Sequence, residues 1–114
     1  MQLPHLESAV VSRDKIVDYL LNPTHPQEAP KARFFSSHGF ALDGWEILAG
    51  ELRRLPANWP VAESVESEHG AKCIIDGQID TPSGQTVSVR TIWIIDRGRH
   101  APRLVTAYPH DKGA

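Results

Sequence analysis

Ile16, Tyr19 and Leu20 recur at helical spacing behind Ser12, a residue type that caps helix N-termini, and Asn22-Pro23 closes the run. This pattern predicts a first helix over 13–21, with Asp14 near the positive end of its dipole. Residues 22–30 carry Pro23, Pro26 and Pro30 and cannot run as regular helix. Each proline ring fixes its own φ and restricts the residue before it, so the loop is expected to be stiff and to hold His25 in one place. A short helix then follows from Pro30 through Lys31–His38, with Gly39 in the left-handed cap position and Phe34 or Phe35 directed into the core. Asp43 is expected to cap a third helix, whose Trp45, Leu48, Leu52 and Leu55 form one apolar stripe before Pro56 ends it.

Beyond the Pro56–Pro60 linker the period changes from helical to alternating. Val61–Glu68, Ala71–Thr81, Gln85–Asp96 and Arg103–Pro109 read as strands separated by His69-Gly70, Pro82-Ser83-Gly84 and the Arg97–Pro102 loop. Connections this short join antiparallel neighbours. Helices followed by a four-stranded meander define an α+β domain spanning 1–114, with the helices packed on one face of the sheet. In the third strand, Val87, Val89, Thr91, Trp93 and Ile95 share the face that suits helix packing, and the Trp45, Leu48, Leu52 stripe is expected to lie on Val89 and Trp93. Arg90 falls on the other, open face with Ser88, Ile92 and Ile94. In the fourth strand strict alternation groups Leu104, Thr106 and Tyr108 against Arg103, Val105 and Ala107, and the register that decides which set joins Arg90 stays open.

The chain has 114 residues, enough for one core, and its 40% hydrophobic and 23% charged content is that of a folded globule. One cysteine, Cys73, cannot form an internal disulfide, which fits a reducing compartment. The N-terminus lacks the basic-then-apolar pattern of an export signal, and no segment approaches the roughly 20 apolar residues of a membrane span, so a cytoplasmic, membrane-free location is expected. The net charge of −2 argues against nonspecific binding to nucleic acid. Its distribution changes that picture. Residues 86–114 hold Arg90, Arg97, Arg99, Arg103 and Lys112 against Asp96 and Asp111, an excess able to build a phosphate-attracting patch on an acidic molecule.

Arg90, near a threonine hydroxyl and a tyrosine, can form a clamp for a planar anion such as phosphate. Six histidines (His5, His25, His38, His69, His100, His110) show no i, i+4 pair and the lone cysteine brings no second thiolate, so no metal site and no cofactor is expected. His25, in its stiff loop, is the best placed for acid–base work, while His110 lies near a fraying terminus. Lys31 and Arg33 stand at the helix end that disfavours cations, a local conflict that can mark function. Cys73 sits mid-strand, where a thiol is inert, and the chain has no Gly-x-Ser-x-Gly turn or phosphate-binding loop.

With these residues in hand, the chain resembles a bacterial toxin-like domain family marked by Tyr-Leu-Leu-Asn-Pro-x-His-Pro (Tyr19–Pro26), Lys-Ala-x-x-Phe (Lys31–Phe35), Arg-Thr-x-Trp (Arg90–Trp93) and a closing Leu-Val-Thr-Ala-Tyr-Pro (Leu104–Pro109). Similar segments close contact-dependent and other polymorphic toxins, and the order of elements is similar to that of the barnase, colicin and RelE ribonucleases. The resemblance implies metal-independent RNA cleavage by 2′-hydroxyl attack, on tRNA or another small RNA. In that frame His25 is acid or base, Lys31 and Arg90 stabilise charge, and Thr106 and Tyr108 position the substrate. Arg33, Thr91, Arg97, Arg99 and Arg103 are then the expected RNA contacts. A small acidic antitoxin or immunity protein is the implied partner. The competing reading of the residues is a non-enzymatic module that binds protein through the sheet edge or the Pro-rich loop.

Overall fold

The computed structural model describes residues 1–25 and 29–110. The Pro-rich loop at 26–28 and the last bases and acids at 111–114, including Lys112, lie outside the described residues. Helices come first and a meander follows: α1 (Ala29–Ser37), α2 (Trp45–Asn58), then β1 (Glu63–Ser67), β2 (Gly70–Asp80), β3 (Thr86–Asp96) and β4 (Arg103–Pro109). The sheet is antiparallel throughout, in the order β1-β2-β3-β4, which is the α+β architecture the periodicity predicts.

The first helical segment covers 13–20, and its Lys15–Leu20 portion is wound as π-helix, with the Leu21 amide bonded to the Ile16 carbonyl at 2.8 Å. Ser12 caps it, its Oγ accepting from the Lys15 amide at 3.2 Å. Gly39, at φ 96°, turns the chain out of α1. Two expectations for α2 are corrected. Gly44, not Asp43, occupies the cap position, because Asp43 belongs to a short 3-10 turn, Leu42–Gly44. Pro56 does not end the helix but is buried within it, and the chain leaves helical geometry only at Trp59. A proline so near the end removes one hydrogen bond and leaves the preceding turns intact.

Leu48, Leu52 and Leu55 face β2 and the core, with Phe35, Ile75, Val89 and Trp93, and all seven are almost wholly buried. Trp45 is half-buried, and its ring lies 6.0 Å from the Arg13 guanidinium. Trp93 is fully buried, and its indole N–H donates to Thr91 Oγ1 at 2.8 Å while Thr91 donates to the Ile75 carbonyl at 2.9 Å. Every polar atom of that chain is satisfied inside the core, so truncating Trp93 to alanine removes about 3–5 kcal/mol of burial without relieving any strain.

Two features were not anticipated. The N-terminal stretch runs along the sheet, buries Leu3 and Ala9, and makes a parallel bridge to β4 through Val10 and Arg103. Arg53 of α2 holds it by donating to the Ala9 carbonyl at 3.1 Å. The second is a bulge in β4. Trp93 pairs with Leu104 and Ile92 with Thr106, which leaves Val105 as an extra residue between them. Leu104 and Ala107, three apart, are therefore both buried, and Leu104 parts from the face it was expected to share with Thr106 and Tyr108. Among the described residues no helix is long and apolar enough to cross a membrane.

Candidate functional site

The β2–β3 hairpin turns around Ser83, and its register sets Asp76 directly opposite Arg90 on the face away from the helices. Arg90 donates to this carboxylate through both arms of its fork, Nε to Oδ1 at 2.7 Å and Nη2 to Oδ2 at 2.9 Å. The hydrogen bond to Asp76 raises the guanidinium pKa above its ordinary value despite the opposing effect of burial, and Tyr108 adds a smaller contribution in the same sense. The expectation of a guanidinium open to a phosphate is thus modified: two of its donor nitrogens already hold Asp76.

The bulge at Val105 completes the same face from the other side. By shifting the phase of β4 it sets Thr106 opposite Ile92 and Tyr108 opposite Arg90. Lys31, in the first turn of α1, crosses to this strand: its Nζ donates to Thr106 Oγ1 at 2.9 Å and lies 5.6 Å from the centre of the Tyr108 ring. A hollow of about 420 Å³ opens here, lined by Pro30, Lys31, Tyr108 and Pro109. Four residues predicted as catalytic (Lys31, Arg90, Thr106 and Tyr108) therefore stand on one open surface.

The fifth, His25, lies just before α1, where its carbonyl accepts from the Ala29 amide at 3.0 Å, and its ring packs on Tyr19 at 5.1 Å between centres. A different histidine reaches the cluster. His110 follows β4 with its amide bonded to the Ser88 carbonyl at 3.1 Å, and its Nε2 sits 3.5 Å from Arg90 Nη2 and 3.6 Å from Asp76 Oδ2. Strand alternation carried the signal for it: Thr106, Tyr108 and His110 are two apart and share a face. The signal for Asp76 was the hairpin centre, which pairs positions whose numbers mirror across Ser83.

The predicted RNA contacts separate. Arg33 is exposed on α1. Thr91 is corrected outright: it is wholly buried on the helix side, and its hydroxyl serves Trp93 and the Ile75 carbonyl. Arg97 and Arg99 are exposed in the β3–β4 loop, six or more strand positions beyond Arg90, on the order of 20 Å along the sheet. Arg103 is committed to Asp96, donating from Nε at 2.7 Å and Nη2 at 3.1 Å. Of the four arginines expected to build one basic patch, two are neutralised by carboxylates and two stand at the far end. Among the described residues, no cluster of His, Cys, Asp and Glu is arranged to hold a metal ion.

The chain belongs to the family described as Domain of unknown function (DUF6883), whose pattern matches residues 2–111. No curated protein matches it. Among solved structures it is similar to a chain of a contact-dependent growth inhibition toxin–immunity protein complex from Klebsiella pneumoniae 342. The TM-score is 0.74 at 19% identity, over 93% of this chain and 97% of that one. At that identity the likeness is one of fold.

Proposed function

We propose that this protein is a small metal-independent ribonuclease of toxin type that acts in the cytoplasm on tRNA or another small RNA. The observation that carries the reading is the meeting of Lys31, Arg90, Thr106 and Tyr108 on one open sheet face. Cleavage by an adjacent 2′-hydroxyl requires little of the protein beyond proton transfer and stabilisation of negative charge on the pentacoordinate phosphorus. Lys31 supplies a cation held in place by Thr106, Tyr108 supplies a hydroxyl and a ring, and the Arg90–Asp76 pair makes the floor rigid. The similar fold in a toxin–immunity complex supports the toxin setting. A small acidic antitoxin or immunity protein is the partner this reading calls for.

Incubation of the purified protein with tRNA and with total small RNA, in buffer containing a chelator, is the test. Products ending in a 2′,3′-cyclic phosphate or 3′-phosphate are expected. Cleavage that disappears with chelator and returns with a divalent cation contradicts the proposed chemistry.

A second reading rests on β1, which is exposed at all five positions and forms one edge of the sheet. Such an edge can accept a strand from a partner protein. Absence of RNA cleavage together with stable capture of a partner along β1 favours this module.

A further inference from the structure

The proposed chemistry needs a group that takes a proton from the attacking hydroxyl, and the open face contains one that the hallmark residues omit. His110 stands where β4 runs on past Pro109, its backbone fixed to Ser88 and its side chain 29% exposed. The imidazole borders a small cavity of about 80 Å³ shared with Trp59, Asp76 and Gln78. Its Nε2 is nearly equidistant from an acceptor, Asp76 Oδ2 at 3.6 Å, and a donor, Arg90 Nη2 at 3.5 Å.

That placement gives both protonation states a partner. The neutral ring with its proton on Nε2 can donate to Asp76 and keeps the Nδ1 lone pair for the substrate proton; the imidazolium keeps the same Nε2–H directed at Asp76. The distance to Asp76 is longer than a working hydrogen bond, as is common before substrate binds, and a small ring rotation closes it. Among the described residues, Lys31 of α1 and Tyr108 of β4 also face this site, interacting with each other and, for Tyr108, with Arg90. Asp76 itself is held in the fork of Arg90, so the carboxylate that orients the ring is fixed on β2 and β3 rather than on a loop.

We propose that His110 is the proton-transfer residue of this site and that Asp76, clamped by Arg90, is its positioning residue. The assignment rests on the ribonuclease reading and moves the acid–base role from His25. In the step assigned to it, the 2′-oxygen bonds to phosphorus as its proton passes to the imidazole. The P–O5′ bond breaks and its electron pair leaves on the 5′-oxygen, which takes a proton from water. The imidazolium returns its proton to bulk solvent, so the ring ends as it began.

The experiment compares the full-length wild type with His110→Ala, His110→Asn, His25→Ala and Asp76→Asn, using steady-state cleavage of a small RNA with and without added imidazole, and thermal melting of each variant. His110→Ala should lose about a hundredfold or more in kcat, within the range for removal of a general acid–base group. Its melting should stay near wild type, and imidazole should restore at least tenfold. His110→Asn should show the same loss. Asp76→Asn should lower kcat with KM little changed and should shift the pH–rate profile. If the wild type cleaves and His110→Ala cleaves within threefold of it, the assignment is overturned while the ribonuclease reading stands. The same follows if an imidazole-restored loss appears at His25→Ala in place of His110→Ala, or if the His110→Ala loss is not restored by imidazole. A wild type that cleaves no RNA removes both the reading and the assignment.

Discussion

Arg90 and Arg103 are both arginines on the open face of one sheet, and both donate through Nε and Nη2 to an aspartate; yet they sit in different chemical settings. Around Arg90 the side chains are 30% and 11% exposed, His110 stands 3.5 Å from Arg90 and 3.6 Å from Asp76, and Tyr108 lies opposite Arg90 with Lys31 and Thr106 beside it. Around Arg103 the exposures are 51% and 35%, and the neighbours are the solvated Arg97 and Arg99 of the loop. Charge along the chain treats the two ends alike. Register does not: it brings chemistry-bearing side chains from α1, β2, β3 and β4 to the Arg90 end, while at the other the Asp96 carboxylate and Arg103 come from the two strands of the β3–β4 hairpin. Partial burial also makes the first pair worth more, since solvent screens the second.

The bulge at Val105 lies between the two ends, and inserting one further residue after it is the severest way to break the comparison. With one residue more and the one-residue bulge kept, Leu104 and Ala107 stand an odd number of strand positions apart and cannot both face the core, where they are 3% and 0% exposed, because such positions point to opposite faces. Turning Leu104 out alone costs about 1.5–3 kcal/mol. Turning Ala107 out instead carries Thr106 and Tyr108 away from Lys31 and Arg90. The expected outcome is a large fall in the denaturant midpoint, or, if the fold survives, loss of cleavage. A variant with unchanged stability and activity would show that the bulge does not build the face.

Removing each arginine in turn sharpens the contrast at smaller scale. Arg90→Ala leaves the half-buried Asp76 without its fork and should cost about 1–3 kcal/mol at neutral pH, in addition to abolishing most cleavage. Its activity loss therefore has to be read beside its melting curve, and Lys31→Ala, which leaves the ion pair in place, is the cleaner activity variant. Arg103→Ala should lower neutral-pH melting by much less, because its pair is solvated. Its pH dependence identifies the source: the hydrogen bond from Arg103 holds the Asp96 carboxyl below its ordinary range, against a smaller effect of desolvation. A carboxyl lowered in the folded state contributes stability that is present above its unfolded pKa and lost as pH falls through the folded one. Arg103→Ala should therefore lie slightly below wild type at neutral pH and converge with it as pH falls through the folded Asp96 titration. A neutral-pH loss equal to that of Arg90→Ala would erase the distinction.

Much of this was legible in the sequence because helical and strand periods are local properties. The Leu48, Leu52, Leu55 stripe, the four strands and the inward direction of Trp93 follow from spacing alone. What escaped depends on pairing between distant segments. The bulge breaks period two in the middle of an otherwise regular strand, and its one trace is a pair of apolar residues, Leu104 and Ala107, an odd number of positions apart. The N-terminal stretch has no period and is held by backbone bonds and by Arg53, neither of which a composition window registers. Thr91 reads as a polar group free for substrate, but its hydroxyl is consumed by an indole two residues away. His110 lies near the terminus, where a sequence gives a side chain little weight, yet alternation from Thr106 carries it to Arg90.

The smallest effect expected separates attraction from chemistry at the loop end. Arg97 and Arg99 are exposed, and neither belongs to the Lys31–Arg90 cluster, so replacing both with serine should change melting by no more than about 0.5 kcal/mol. Cleavage of a small RNA should stay within about twofold, because charges that distance from the reacting phosphate are screened beyond a Debye length of about 8–10 Å. Association with an acidic immunity protein should respond instead. Rim charges act on the encounter more than on the final complex, so the double variant should bind more slowly at low salt and lose much of the wild-type dependence on ionic strength, with little change in dissociation. Stopped-flow association rates measured across a salt series, with cleavage rates from the same preparations, decide it. A tenfold fall in cleavage with unchanged association would place the loop inside the catalytic surface, and the two ends of the sheet would then have to be treated as one site.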